Sequence, residues 1–220
     1  MVKKADGGSR LTVNYKPVNS RTVFDAFPFP KVEDLLAKLA NAKFFWAIDF
    51  SQFYHQLPLQ PSDREKTAFC VFNNLYEFTR CHFGLKSAVA YCSRLLSKVL
   101  SGISNVAVYL DDVVVFGVSE EEHNTVLHNV LTRIKDAGLS LNKNKCVFST
   151  RNVSFLGYFV ENGTIRPDPS RLEPISSFPL PTSVKALQGF IEMATYYSKY
   201  IQNFSEMCRP LYDKGKDFQE

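Results

Sequence analysis

Apolar residues fall into two rhythms along this chain, one that suits strands and one that suits helices. "KFFWAIDF" is a run of large apolar residues, as expected of a strand buried in a sheet, and it ends on Asp49. "RLTVNY" predicts a short strand, and "RTVFDAFPFPKV", with its two prolines, an extended connection. Val32, Leu35, Leu36 and Leu39 recur at helical spacing and predict a helix ending near Asn41. "SQFYHQ" predicts a short helix. "TAFCVF" and "LYEFTRCHF" predict two strands around an Asn73-Asn74 turn, and "SAVAYCSRLLSKVLSG" a helix stopped at Gly102. In "SEEEHNTVLHNVLTRIKDAGL" Ser119 is placed to cap an amphipathic helix whose first turn carries Glu120 to Glu122, where carboxylates suit the helix dipole. "KCVFS" and "VSFLGYFVENGTI" predict further strands, the latter turning at Asn162-Gly163. From Pro167 to Pro179 there are four prolines and beyond them a helical pattern, which sets a subdomain boundary near residue 166.

One place breaks the pattern. Asp111 and Asp112 stand between "VAVYL" and "VVVF", where burial is expected. Asp is a common turn residue, so a hairpin with an acidic tip accounts for the pair. The other reading is a cation. If the strand ending on Asp49 lay beside the Asp111 hairpin, both carboxylates would project from one face, and their burial would be costly unless something positive neutralised them. Hard oxygen ligands suit Mg²⁺, and two such ions form the clamp used in phosphoryl transfer. Spacing alone does not make the strands neighbours.

Composition narrows the field. The 220 residues, 45% hydrophobic, 14% aromatic and 22% charged, describe an ordered globular chain of one domain or two small ones. A net charge of +4 permits a polyanionic partner without requiring one. Cys70, Cys81, Cys92, Cys146 and Cys208 show no metal-ligand spacing and read as reduced, mostly buried thiols of an intracellular protein. His55, His82, His123 and His128 likewise read as satisfied structural or surface residues. "MVKKADGGSRL" lacks the apolar core of a signal peptide, and no apolar run approaches the ~20 residues that cross a bilayer, so the chain is expected to be soluble.

Six blocks stand in the order of one known family's motifs. "YLDD" is similar to its Y-x-D-D box, and "RLTVNYKPVN" to the fingers segment R-x-x-V-D-Y-R-x-L-N. "AIDFSQFYHQLPL" resembles L-D-L-x-x-G-Y-H-Q-I-P-L, and "KTAF", "YEF" and "FGLKSA" follow as in K-T-A-F, Y-E-F and P-F-G-L-x-N-A. "FLGYFV" resembles a hairpin written F-L-G-x-x-V, and "FIEMATYYSKYIQNFS" a thumb segment. The blocks run from about Lys3 to Lys216; together they resemble the reverse transcriptase family, as found in gypsy-type long-terminal-repeat retrotransposons and retrovirus-related Pol polyproteins.

The resemblance implies an α+β right-hand polymerase fold: fingers at 1–23 and 57–87 lacking their N-terminal part, palm at 24–56 and 88–166, and thumb at 167–220, without connection or ribonuclease H region. It implies RNA-directed DNA polymerisation with two Mg²⁺ ions (Mn²⁺ as a substitute), on an RNA or DNA template with primer and dNTPs. It also implies ribonuclease H and integrase segments elsewhere in a full-length element, housed in cytoplasm or virus-like particles. Asp49, Asp111 and Asp112 would be the catalytic carboxylates, with the Phe50 backbone carbonyl as a further metal ligand. Lys3 or Lys4, Arg10, Tyr54, Phe83 and Gly84 would bind the nucleotide, Tyr54 as a steric gate against a 2′-hydroxyl. Read without the family, Tyr54 is an ordinary core Tyr and the basic residues a solvated terminus. Phe155, Leu156, Gly157 and Tyr158 would form the primer grip. Lys86 would reach nucleic-acid phosphate or simply lie on the surface, and Tyr196, Tyr197 and Lys199 would border the duplex.

Some positions depart from the family pattern. Val89 to Ser93 replace Pro-Ala-x-Phe-Gln, Asn14 replaces Asp, His82 replaces Pro, and Glu192 replaces Gly. The Val89 to Ser93 departures and the missing fingers segment sustain a rival reading, an inert retroelement relic that keeps the fold and binds nucleic acid; the complete Asp49, Asp111 and Asp112 set argues against it. A phosphohydrolase unrelated to polymerases would explain the acidic cluster but not the other blocks.

Overall fold

The structure is a computed structural model that describes residues 2–3 and 9–217, with side chains described over residues 11–213. The chain forms two compact units, residues 1–151 and 152–220. In the first, β1 (Val2–Lys3) and β2 (Ser9–Arg10) pair as an antiparallel ribbon. The strand expected over "RLTVNY" is thus confined to its first residue, and α1 (Lys16–Arg21) follows. Pro17 sits in the first turn of α1, where a missing N–H costs nothing, and the Asn14 side chain accepts from the Lys16 N–H at 3.1 Å.

Helix α2 (Val32–Leu39) buries Leu35, Leu36 and Leu39, and β3 (Phe44–Ile48) follows. Short helices α3 (Phe53–Gln56) and α4 (Pro61–Arg64) lead to the hairpin of β4 (Phe69–Val71) and β5 (Asn74–Tyr76). Its turn is Phe72-Asn73, one residue earlier than expected, because Val71 pairs with Asn74 and Phe69 with Tyr76. Phe69 stacks between Tyr76 and Phe78, and that aromatic ladder fixes the register although it forces Phe72 to φ +52°. Helix α5 (Ala88–Val99), strands β6 (Val106–Tyr109) and β7 (Asp112–Gly117), helix α6 (Glu120–Asp136) and strand β8 (Val147–Thr150) complete the unit.

One antiparallel sheet of order β6-β7-β3-β8 organises this unit. Trp46 faces Val115 and Ile48 faces Val113 across β3 and β7, and these side chains share a core with Leu96 of α5 and Val126, Val130 and Ile134 of α6. Each such buried side chain is worth about 1.5–3 kcal/mol. The α6 cap forms as its sequence predicts: Ser119 Oγ accepts from the Glu122 N–H at 3.2 Å. The Glu122 carboxylate accepts from Val118 N and Asn105 Nδ2, fastening the helix start to the end of β7.

Gly117 ends β7 directly beneath that helix start. A Cβ there would lie 2.9 Å from the backbone N and Cα of His123. Backbone at both ends of the contact has no room to yield, so Gly117→Ala is expected to cost about 1–3 kcal/mol, at about 2–4 °C of melting temperature per kcal/mol. Thermal denaturation followed by circular dichroism checks this; an unchanged midpoint would mean that α6 shifts freely. His123 itself is buried with neither ring nitrogen hydrogen-bonded, unlike the satisfied histidine expected.

The second unit begins with a meander of β9 (Asn152–Phe155), β10 (Tyr158–Glu161) and β11 (Thr164–Pro167). Both of its two-residue turns, Leu156-Gly157 and Asn162-Gly163, have positive φ at both positions, the geometry that matches strand twist. Helices α7 (Pro169–Ser176), α8 (Val184–Thr195) and α9 (Phe204–Asp217) follow, α8 packing on both others. Asp168 and Ser183 cap the first two. The Cys81, Cys92, Cys146 and Cys208 thiols are free and buried, and Cys70 is free and exposed.

Candidate active site

The sheet register decides what spacing left open. Ile48 pairs with Val113, so Asp49, one residue past β3, stands across from Asp112 at the start of β7. Tyr109 pairs with Asp112, which leaves Leu110-Asp111 as the hairpin turn, with Leu110 held at φ +57°. A side chain at positive φ costs about 1–2 kcal/mol. The carboxylates sense one another. Burial, and then the Asp111 charge, raise the Asp49 pKa against the pull of Lys145. Asp112 keeps an exposed side, yet the protein around it, followed by Asp111 and Asp49, raises its pKa as well.

The charged Asp112 therefore costs the folded chain stability at neutral pH, a cost that fades as pH falls through the raised pKa towards the ordinary Asp value of about 3.9. In metal-free buffer Asp112→Asn is expected to melt above the unsubstituted chain at neutral pH and to lose that advantage on acidification. A melting difference that ignores pH would show that the charge is not strained.

Phe50 buries its ring, and its backbone bridges to Leu141. The bonds of that bridge run from Ser51 N to Ser140 O (3.0 Å) and from Asn142 N to Asp49 O (2.9 Å), so the Phe50 carbonyl takes no part in them. Among the described residues no three His, Cys, Asp or Glu side chains gather closely enough to hold an ion by themselves. A divalent cation that draws on one or two carboxylates, a backbone carbonyl and substrate phosphates needs no such cage, and it would relieve the repulsion that raises Asp49 and Asp112. The donor set fits.

Tyr54, on α3, is half-buried with its ring 4.8 Å from that of Phe83. Burial, then Asp111, Cys92 and Cys81, push its phenol up to about 12, so it stays protonated beside the acidic cluster. Gly84 has φ +92°, and its turn is held by a residue that sequence reasoning missed. Asn19 Nδ2 donates to Gly84 O at 2.7 Å, and Lys86 N donates to Asn19 Oδ1 at 2.8 Å. His82 is buried against the rings of Tyr15 and Phe78, and its Nδ1 lies 2.9 Å from Phe83 O. Lys86 Nζ donates to Thr22 O at 3.0 Å. Lys4 lies outside the described residues, as do the side chains of Lys3 and Arg10, so this geometry includes none of them.

In the second unit Phe155 pairs with Tyr158, both buried, and Leu156-Gly157 forms the turn between them. Lys199 Nζ lies 4.8 Å above the Tyr158 ring, Tyr197 is buried, and Tyr196 is exposed.

The family described as reverse transcriptase (RNA-dependent DNA polymerase) matches residues 2–160. Among curated proteins, the chain is similar to the retrovirus-related Pol polyprotein from transposon opus of Drosophila melanogaster, 40% identical over 204 residues, or 92% of this chain and 20% of that protein. It is also similar to the Pol polyprotein from transposon gypsy of the same organism, 35% identical over 94% of this chain and 20% of that protein. The chain thus spans about a fifth of the length of these relatives. Among solved structures, it is similar to a foamy viral protease-reverse transcriptase in complex with double-stranded DNA, with TM-score 0.88, 24% identity and coverage of 96% of this chain and 38% of that one. The foamy viral protein in complex with RNA/DNA hybrid gives TM-score 0.85 at 23% identity, over 98% of this chain and 29% of that one.

Proposed function

Because this chain belongs to the reverse transcriptase family, we propose that it is an RNA-directed DNA polymerase that adds dNTPs to a primer 3′ end on an RNA or DNA template. Its fold is the α+β polymerase fold of that family, as its sequence predicts. The family generally uses divalent metal ions; the reading here is two Mg²⁺ ions, replaceable by Mn²⁺. The observation that carries the proposal is the gathering of Asp49, Asp111 and Asp112 at one end of the sheet, beside a Phe50 carbonyl left out of its ladder.

Asp49, Asp111 and the Phe50 carbonyl would hold the ions, with Asp112 completing the acidic cluster. Bound there, the ions would supply Lewis-acid stabilisation of the attacking and leaving oxygens. The chain's own residues do the rest. Tyr54 would sit beneath the sugar, its ring braced by Phe83, and Gly84 would let backbone approach the nucleotide in a turn held by Asn19. Arg10 with Lys3 or Lys4 would take the triphosphate. Phe155 to Tyr158 would grip the primer end. The fingers are assigned to residues 1–23 and 57–87, the palm to 24–56 and 88–166, and the thumb to 167–220. Partners would be a primed template and the ribonuclease H and integrase segments of a longer Pol polyprotein, in the cytoplasm or a virus-like particle. Among the described residues no helix is long and apolar enough to cross a membrane.

A second reading, the inert relic, is favoured by one feature. Ser93 stands where the family carries Gln, and its hydroxyl is buried without a hydrogen-bond partner. Extension of oligo(dT) on poly(rA) with dTTP, with and without Mg²⁺, separates the two. Metal-dependent synthesis supports the polymerase; a chain that binds the duplex but extends nothing is the relic.

A further inference from the structure

Gln56, the last residue of α3, is tied by its amide to the distant segment that follows α6. Its Nε2 donates to Ser51 O at 2.5 Å and to Ser140 O at 2.9 Å, and its Oε1 accepts from the Ser140 N–H at 2.7 Å. Ser140 O also accepts the Ser51 N–H. That N–H belongs to the same planar peptide as the Phe50 carbonyl, and in a trans peptide the two point in opposite directions. Whatever fixes Ser140 therefore fixes where the Phe50 carbonyl aims, on the side of the peptide away from Ser140. The isolated Phe50–Leu141 bridge holds this backbone from the same side, and the Gln56 amide fastens the Ser140 end of it. Beyond Ile48 the chain has left the regular pairing of β3, and Gln52 bends it back at φ +46°.

We infer that Gln56 is a positioning residue that holds the Asp49–Ser51 backbone in its metal-binding conformation. The inference rests on the metal site proposed above. Only a side-chain amide serves here, since it must donate to two carbonyls and accept from one N–H at once. A carboxylate would set an anion against two carbonyl oxygens, and a thioether of the same length would leave all three backbone groups unanswered. Gln56 does not touch the reacting atoms.

The test is Mn²⁺ titration, read by the electron paramagnetic resonance of free Mn²⁺, on the chain bound to a primed template. Gln56→Met, Gln56→Glu and Asp111→Asn are compared with the unsubstituted chain, alongside thermal melting. Gln56→Met is expected to weaken the Asp111-dependent Mn²⁺ binding about 10- to 100-fold while still melting cooperatively. Gln56→Glu keeps the acceptor for Ser140 N–H and carries the same expectation if the Met variant fails to fold. It also separates geometry from charge, because an added carboxylate acting by charge alone would tighten the ion. Unchanged or tighter binding in a folded variant overturns the inference, as does the absence of any Asp111-dependent Mn²⁺ binding. Weakened binding in Gln56→Met, in a chain that extends no primer, supports the positioning role and counts against the polymerase reading alone.

Discussion

Replacing Asp111 by Asn should abolish primer extension, with a loss on the order of 10³-fold or more, because each tenfold in rate corresponds to about 1.4 kcal/mol and metal-held charge supplies several. The change is nearly isosteric and falls on an exposed turn residue, so the β6–β7 hairpin and the duplex-binding surface should survive it. A second signature follows from the electrostatics. Asp111 contributes to the raised pKa of both Asp49 and Asp112, so neutralising it should move both back towards the ordinary carboxylate range. Primer extension beside duplex binding and thermal melting makes the measurement. Extension at the rate of the unsubstituted chain would remove Asp111 from the metal site; loss of duplex binding as well would mean that the change reached the fold.

Tyr54→Ala carries the next largest effect, on sugar selectivity. Removing the ring opens the space beneath the nucleotide ribose, and ribonucleotide incorporation relative to deoxynucleotide should rise on the order of 10- to 10²-fold, the range in which a pocket discriminates by shape. Stability should fall as well, by about 2–3 kcal/mol, because the half-buried ring packs at 4.8 Å on Phe83 and its loss leaves a cavity. Tyr54→Phe is the control. It keeps the ring and drops a phenol that burial and Asp111 already hold protonated, so selectivity should stay. Single-nucleotide incorporation with dTTP and UTP reads the ratio, and an unchanged ratio in the Ala variant returns Tyr54 to the core.

Short-range signals in the sequence translate directly into structure. The Ser119 cap, the apolar spacing of α2 and α6 and the Asn162-Gly163 turn depend on residues a few positions apart, and each appears where its pattern places it. Helix α1 buries none of its residues and so leaves no apolar period in the sequence. The Phe72-Asn73 turn was displaced because rings on the flanking strands, not the turn residues, choose the register. At the site, residue types pointed to the carboxylates, but their convergence depends on the pairing of β3 with β7, which no short window encodes. Asn19 and Gln56 act across 65 and 84 residues of chain through single amides, and a lone polar residue carries no periodic mark of such a role.

The strand order of the central sheet also sets a timetable. Phe45 of β3 pairs with Phe116 on one side and Thr150 on the other. At about 5–20 residues per second of ribosomal synthesis, the roughly 100 residues from Phe45 to Thr150 take about 5–20 s to emerge. Through that interval the newborn "FFWAI" segment waits with an open edge, a template for pairing with other nascent chains. Asp49 can meet Asp112 once β7 has emerged, whereas the other side of the same strand stays open until Thr150 follows, so translation speed sets how long that edge stands exposed.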